Sequence, residues 1–156
     1  NGNIALNAIQ DSVVTTLGNG LRITPLQVPH RDEYSETVGY LIEGPQKKVL
    51  FISDIDKWES WKEDIVIWVK AVDYAFLDAT FYSGDEIRQR DLRKIPHPFV
   101  VETMALFKQE PPALKDKIWF IHMNHTNPML NPESAAWKAV TDSGFHIAAM
   151  GMTFGL

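Results

Sequence analysis

The run KVLFISDIDKW at residues 48–58 decides how this chain is read. Residues 48–53 form a continuous apolar stretch of buried-strand type, and two carboxylates, Asp54 and Asp56, follow at once. A buried strand that ends on acidic side chains belongs in an α/β sheet, where strand ends converge on one rim and ligands bind. Upstream, Leu21–Val28 (LRITPLQV) and Thr37–Glu43 (TVGYLIE) read as short strands, with GPQK at 44–47 as a hairpin turn. Downstream the period changes. From Lys57 on, Trp61, Ile65, Trp68, Val69 and Val72 recur at helical spacing, with Lys62, Glu63 and Asp64 on the other face.

Beyond that helix, 74–77 (YAFL) is a second buried strand, and the polar stretch 83–94 reads as an exposed loop. Pro98 suits the first position of a helix whose apolar face is Val101, Met104, Ala105 and Phe107, and Pro111-Pro112 stops it. Residues 117–121 (KIWFI) are the next strand. Asn131-Pro132-Glu133 reads as an N-cap with proline at the first helical position, opening a helix through about Asp142 that Gly144 closes, and 145–150 is a last strand. The order β-β-β-α-β-α-β-α-β predicts an α/β fold with helices packed on a mixed sheet.

Composition narrows the possible functions. With 156 residues, 45% apolar and 22% charged, the chain is an ordinary globular domain and neither disordered nor fibrous. A net charge of −5 with no block of like charge argues against a sequence-blind nucleic-acid binder, which needs concentrated basic residues. No apolar run approaches the roughly 18 residues of a membrane span, so a soluble chain is expected, with the cytoplasm favoured. It contains no cysteine, which excludes thiolate ligands and leaves five histidines and the carboxylates as the pool for any metal. The abrupt start at Asn1 reads as a cut chain.

Four polar clusters each directly follow a predicted strand: His30 after Val28, Asp54 and Asp56 after 48–53, Asp78 after 74–77, and His122 and His125 after 117–121. Imidazole nitrogen with aspartate oxygen suits zinc, iron or manganese, and an aspartate can bridge two ions about 3.5–4 Å apart. Each residue also has a structural reading. His30 alone is a turn or rim histidine, and Asp54 alone can cap the helix that follows. Asp56, directly before Lys57-Trp58, is the better cap and is read as structural. His97, before Pro98, can be an N-terminal helix residue facing solvent, and His146 is structural. Glu33, Tyr34 and Glu36 fit a solvated approach to the hairpin, and the five tryptophans fit packing between sheet and helix.

Taken together, five blocks resemble a known family. VPHRDEYSETVGY (28–40), VLFISDIDKW (49–58), LDATFY (77–82), IPHPFVVET (95–103) and IHMNHTNPML (121–130) are similar, in order, to the second half of the coenzyme PQQ (pyrroloquinoline quinone) synthesis protein B family, within the metallo-β-lactamase superfamily. The resemblance implies that residues 1–156 form half of an αββα sandwich, a mixed sheet with helices on one face, whose N-terminal half lies outside this chain. It implies metal ligands at His30, Asp54 and His122, with Asp54 as the bridging aspartate. Asp78 falls where related phosphodiesterases place an acid, His97 is a proton donor or substrate contact, and His125 is the close alternative to His122. The superfamily's His-x-His-x-Asp-His motif has no counterpart here, so this chain would carry half of a metal centre and bind metal weakly alone.

The function implied is that of a metalloenzyme with one or two divalent ions, zinc or iron, in the complete domain. It would act on a small-molecule or peptide-derived substrate, by hydrolysis or by iron-dependent oxygenation of a tyrosine-derived quinone precursor. The alternative is a degenerate half-domain kept for binding or assembly. Expected partners are the missing N-terminal half and a second copy of the chain, with no nucleic acid and no membrane span. A half-sandwich should also leave an apolar sheet face uncovered.

Overall fold

A computed structural model describes residues 3–31, 33–87 and 95–156. Seven strands form one sheet in sequential order: β1 (Thr15–Gly18), β2 (Leu21–Val28), β3 (Thr37–Glu43), β4 (Lys48–Ile52), β5 (Tyr74–Asp78), β6 (Ile118–Ile121) and β7 (His146–Ile147). The first four pair antiparallel and the last four pair parallel, so the sheet is mixed. Among the described residues four α-helices accompany it: α1 (Ile65–Ala71), α2 (Val100–Leu106), α3 (Pro112–Lys115) and α4 (Ala135–Asp142). No described helix is long and apolar enough to cross a membrane.

Sequential strand order explains the layering. Each parallel crossover steps to the next strand in the same direction, and crossovers are right-handed, so every intervening helix falls on one face. On that face Leu50, Ile52, Ala75, Leu77, Ile118 and Phe120 are buried against Val69, Val100, Phe107 and Val140. The opposite face carries Tyr40, Phe51, Tyr74, Phe76 and Trp119, which are only partly buried; Phe51 is 36% exposed. The C-terminal tail covers a little of it by setting Phe154 edge-on to Tyr74, Phe76 and Trp119.

Local chemistry corrects several boundaries. The helix expected from Lys57 begins only at Ile65, where Asp64 accepts hydrogen bonds from the amides of Val66 and Ile67; Asp64, and not Asp56, is the cap. The preceding residues turn through a short 3₁₀ segment, Trp58–Ser60, because two indoles are drawn to other partners: Trp58 Nε1 donates to Thr103 Oγ1 and Trp61 Nε1 to the Gln27 carbonyl. The ammonium of Lys117 closes α1 by donating to the carbonyls of Val69, Lys70 and Val72.

At the other end of the chain, Ser134 rather than Asn131 caps α4, accepting from the Trp137 amide, and the last strand shrinks to His146–Ile147. Pro112 opens the single turn of α3 besides ending the segment before it. Strand β1 has no counterpart in the sequence reading. It is joined to β2 through Asn19-Gly20, both at positive φ, the pair that a two-residue hairpin of primed type requires. The loop expected at 83–94 lies partly outside the described residues, and Gly84–Ile87 within it forms a 3₁₀ turn.

Candidate metal centre

Strand direction places the site. Strands β4, β5 and β6 run parallel, and β2 runs the same way because two antiparallel steps separate it from β4. Their carboxyl ends therefore share one rim, and His30, Asp54, Asp78 and His122 all emerge there. His97 reaches the same rim from the approach to α2, whose neighbouring residues Phe81 and Phe99 form a short bridge. Two groups of ligand atoms result, His30–Asp54–His97 and Asp54–Asp78–His122, each with its atoms within 4.8 Å of one another. Asp54 belongs to both.

Each imidazole is anchored through Nδ1. His30 Nδ1 lies 2.9 Å from Asp56 Oδ1, and its Nε2 stands 3.5 Å from Asp54 Oδ2. A carboxylate only accepts, so Nδ1 carries the proton and Nε2 keeps its lone pair for an ion. His97 Nδ1 lies 2.9 Å from Asp78 Oδ2 and 3.3 Å from Asp54 Oδ1. The Thr80 hydroxyl gives its proton to Asp78 Oδ1 at 2.6 Å and offers its lone pair to His122 Nδ1 at 3.2 Å, while Asp78 Oδ1 lies 3.7 Å from the same nitrogen. Among the described residues Nε2 of His122 makes no hydrogen bond.

Asp78 organises this half of the rim from a position with 0% exposure. It accepts the amides of Ile55 and Thr80 as well as the hydroxyl, binding the Asp54 loop to the end of β5. Burial works to raise its carboxyl, but the imidazoles of His122 and His97 and the Thr80 hydroxyl outweigh that and hold it at about 2. Reciprocally, Asp78 raises the His122 imidazole against the opposing pull of burial.

A carboxyl depressed in the fold contributes stability above its unfolded value near 3.9 and loses it as pH falls through about 2. In the metal-free protein, denaturant unfolding at pH 5 and pH 2 should therefore show about 2 kcal/mol more acid loss than in Asp78→Asn. An acid loss of equal size in the two proteins would exclude that contribution.

The loop after β6 is held by its own devices. His122 adopts φ +60, a left-handed conformation uncommon for a side chain of this size and a mark of functional loops. Buried Asn127 fixes the loop, donating to the Ala79 carbonyl and accepting from the Met129 amide, while Asn124 N–H donates to the Thr80 carbonyl. His125 is exposed and belongs to neither group of ligand atoms; its amide folds back on Asn124 Oδ1. His146 pairs with Asp116 and stacks on Trp119, away from the rim.

The donor set suits a metal. Asp54 Oδ1 is buried, and among the described residues no hydrogen bond reaches it, since the nearby His97 Nδ1 points its short contact at Asp78. A carboxylate with one unpartnered oxygen beside His97 and the other beside His30 is an arrangement that a divalent cation completes. A groove of about 500 Å3 lies elsewhere, between the 11–12 segment, β2 and the stacked rings of Trp61 and Trp68, and none of the candidate ligands line it.

Two residues at the rim escaped the sequence reading. Asp56, read there as a helix cap, is ion-paired with His30, and Thr80 joins Asp78, His97 and His122. For Asp56 a signal existed: Asp54 and Asp56 are two residues apart at a strand end, and so can turn toward one side. For Thr80 only the two-residue spacing from Asp78 is local, and its imidazole partners are 17 and 42 residues away.

This fold and its His/Asp rim define a class. Residues 2–142 match the beta-lactamase superfamily domain, and the chain belongs to that superfamily. Within it, the chain is similar to coenzyme PQQ synthesis protein B: 29% identical over 152 residues to the protein of Gluconobacter oxydans and 26% over 150 to that of Nitrosococcus oceani. These alignments cover 88% and 85% of this chain but 49% and 48% of the relatives, so the chain spans about half the length of the curated relatives it matches. The zinc-bound PqqB of Methylobacterium extorquens superposes with a TM-score of 0.75 at 23% identity, over 95% of this chain and 55% of that one. The metallo-β-lactamase fold protein YhfI of Bacillus subtilis superposes with a TM-score of 0.61 at 19% identity, over 94% and 54%.

Proposed function

We propose that this chain supplies the second half of the metal centre of a metalloenzyme acting in PQQ synthesis, with Asp54 bridging two divalent ions. The observation that carries this reading is the sharing of Asp54 by two groups of His and Asp ligand atoms, with one of its oxygens buried and unpartnered. His30 and His122 are the imidazole ligands through Nε2, oriented by Asp56 and by Thr80 with Asp78. When bound, such an ion supplies either an acidified water for hydrolysis or, as iron, oxygenation chemistry.

His97 holds a proton on Nδ1 against Asp78, a pairing suited to passing protons at the rim. His125, exposed on the same loop as His122, would contact substrate; its exposure supports this.

The domain reading goes with this one. Residues 1–156 form the C-terminal half of a two-part sandwich, and a second sheet covers the aromatic face of Tyr40, Phe51, Tyr74, Phe76 and Trp119. Supporting this are the partial burial of that face and the chain's span of about half of each relative. Among the described residues three side chains with ligand atoms converge in each group, and in this reading the other half supplies the ligands that complete the centre.

Anaerobic reconstitution of the full-length protein with zinc or ferrous iron, followed by elemental analysis, tests the reading. At least one tightly held ion per chain is expected. Oxygen uptake by the iron form, or ester or phosphodiester hydrolysis by the zinc form, then separates the two chemistries. A protein that holds no metal after reconstitution would overturn the proposal.

A further inference from the structure

The loop that carries Asp54 and Asp56 is fastened to the segment that carries His97 by two contacts beyond the centre itself. Trp58 Nε1 donates to Thr103 Oγ1 at 2.8 Å, with Thr103 fully buried and Trp58 nearly so. Beside it, Lys57 Nζ pairs with Glu102 Oε2 at 2.5 Å and stands 4.0 Å over the Phe99 ring, while the same Glu102 oxygen accepts the Phe99 amide at 2.8 Å. Thr103 Oγ1 also reaches back to the Phe99 carbonyl at 3.4 Å. Four residues from Asp54 on one side and six from His97 on the other, these contacts span two segments that no strand pairing joins among the described residues.

We propose that Trp58 and Thr103 are positioning residues of the metal centre, setting the separation of Asp54 from His97. The inference rests on the reading of Asp54 as a metal ligand. Its physical basis is the cost of a buried polar group. The indole N–H has one direction in which to donate and is buried together with its acceptor, so it fixes the loop to α2 in one register. The surface pair Lys57–Glu102 joins the same two segments one residue away on each. An exposed ion pair contributes little by itself, so the buried bond carries the effect.

Cobalt(II) binding by the full-length protein, read from its visible absorption, tests this without an activity assay. Thr103→Val deletes the hydroxyl at nearly constant shape and should weaken cobalt binding about tenfold and alter the absorption band, within the 10–100-fold range of groups that orient ligands. Thr103→Ser restores the hydroxyl and should restore both affinity and band. Trp58→Phe keeps the packing, removes the donor, and should act like Thr103→Val, which provides a second route if that variant folds poorly. Asp54→Asn is measured beside them. If it loses cobalt while Thr103→Val and Trp58→Phe keep wild-type affinity and spectrum, the positioning role is overturned and the metal reading survives. If Asp54→Asn itself binds cobalt as wild type does, both fall.

Discussion

Asp54→Asn in the full-length protein is expected to lower zinc affinity by more than about 100-fold, beyond the loss typical of an orienting neighbour. The substitution is nearly isosteric, so the loop should keep its shape. What changes is the charge and the second anionic oxygen. Asp54 belongs to both groups of ligand atoms, and an amide offers one carbonyl oxygen where the carboxylate offers two. Its Oδ1 has no hydrogen-bond partner among the described residues, so the fold should lose little there, while a metal centre bridged by Asp54, as proposed above, would lose its bridge. Competition against a chelator of known affinity measures the effect. Asp56→Ala is the internal control: it frees the His30 ring without removing a ligand, and its loss should stay within about 10–100-fold. Equal losses for the two variants would show that Asp54 bridges nothing.

The second large effect falls on stability. Asp78→Ala should cost about 3–5 kcal/mol, the usual penalty for removing one partner of a buried charged network. The carboxylate accepts from the amides of Ile55 and Thr80, the Thr80 hydroxyl and His97, and alanine leaves these donors facing an apolar void. At about 2–4 °C per kcal/mol for a domain of this size, the melting temperature should fall by roughly 10 °C. Asp78→Asn, which keeps one acceptor, should lose clearly less. Differential scanning calorimetry of the metal-free proteins separates this from any effect of metal, and a fall of only a degree or two for alanine would mean that the network rearranges.

Much of the architecture can be read along the chain. The apolar run at 48–53, the YAFL and KIWFI segments and the two antiparallel strands before them lie close to their observed positions, because a buried strand advertises itself through local composition. Errors concentrate where a local pattern competes with a distant partner. Trp58 and Trp61 share helical spacing with Ile65, yet neither belongs to α1, since each indole N–H is engaged 34 or 45 residues away. Strand β1 was missed despite the Asn19-Gly20 signal because its residues are mostly exposed and lack an apolar pattern.

At the site, the side chains that stand at strand ends can be read along the chain: His30, Asp54, Asp78 and His122 each follow a recognisable strand. The absence of cysteine and the resemblance of five ordered blocks add that any metal is held by nitrogen and oxygen in a β-lactamase-type fold. How those residues meet follows from the folded sheet. Sequential strand order with right-handed crossovers brought four strand ends to one rim and left one sheet face aromatic and half-covered. The folded chain also decides that Asp56 serves His30 rather than a helix, that Thr80 links Asp78 to two imidazoles, and that Trp58 holds Thr103. The division has a physical cause: a strand's apolar pattern is written within a few adjacent residues, whereas a hydrogen bond between side chains tens of residues apart depends on where the sheet carries both.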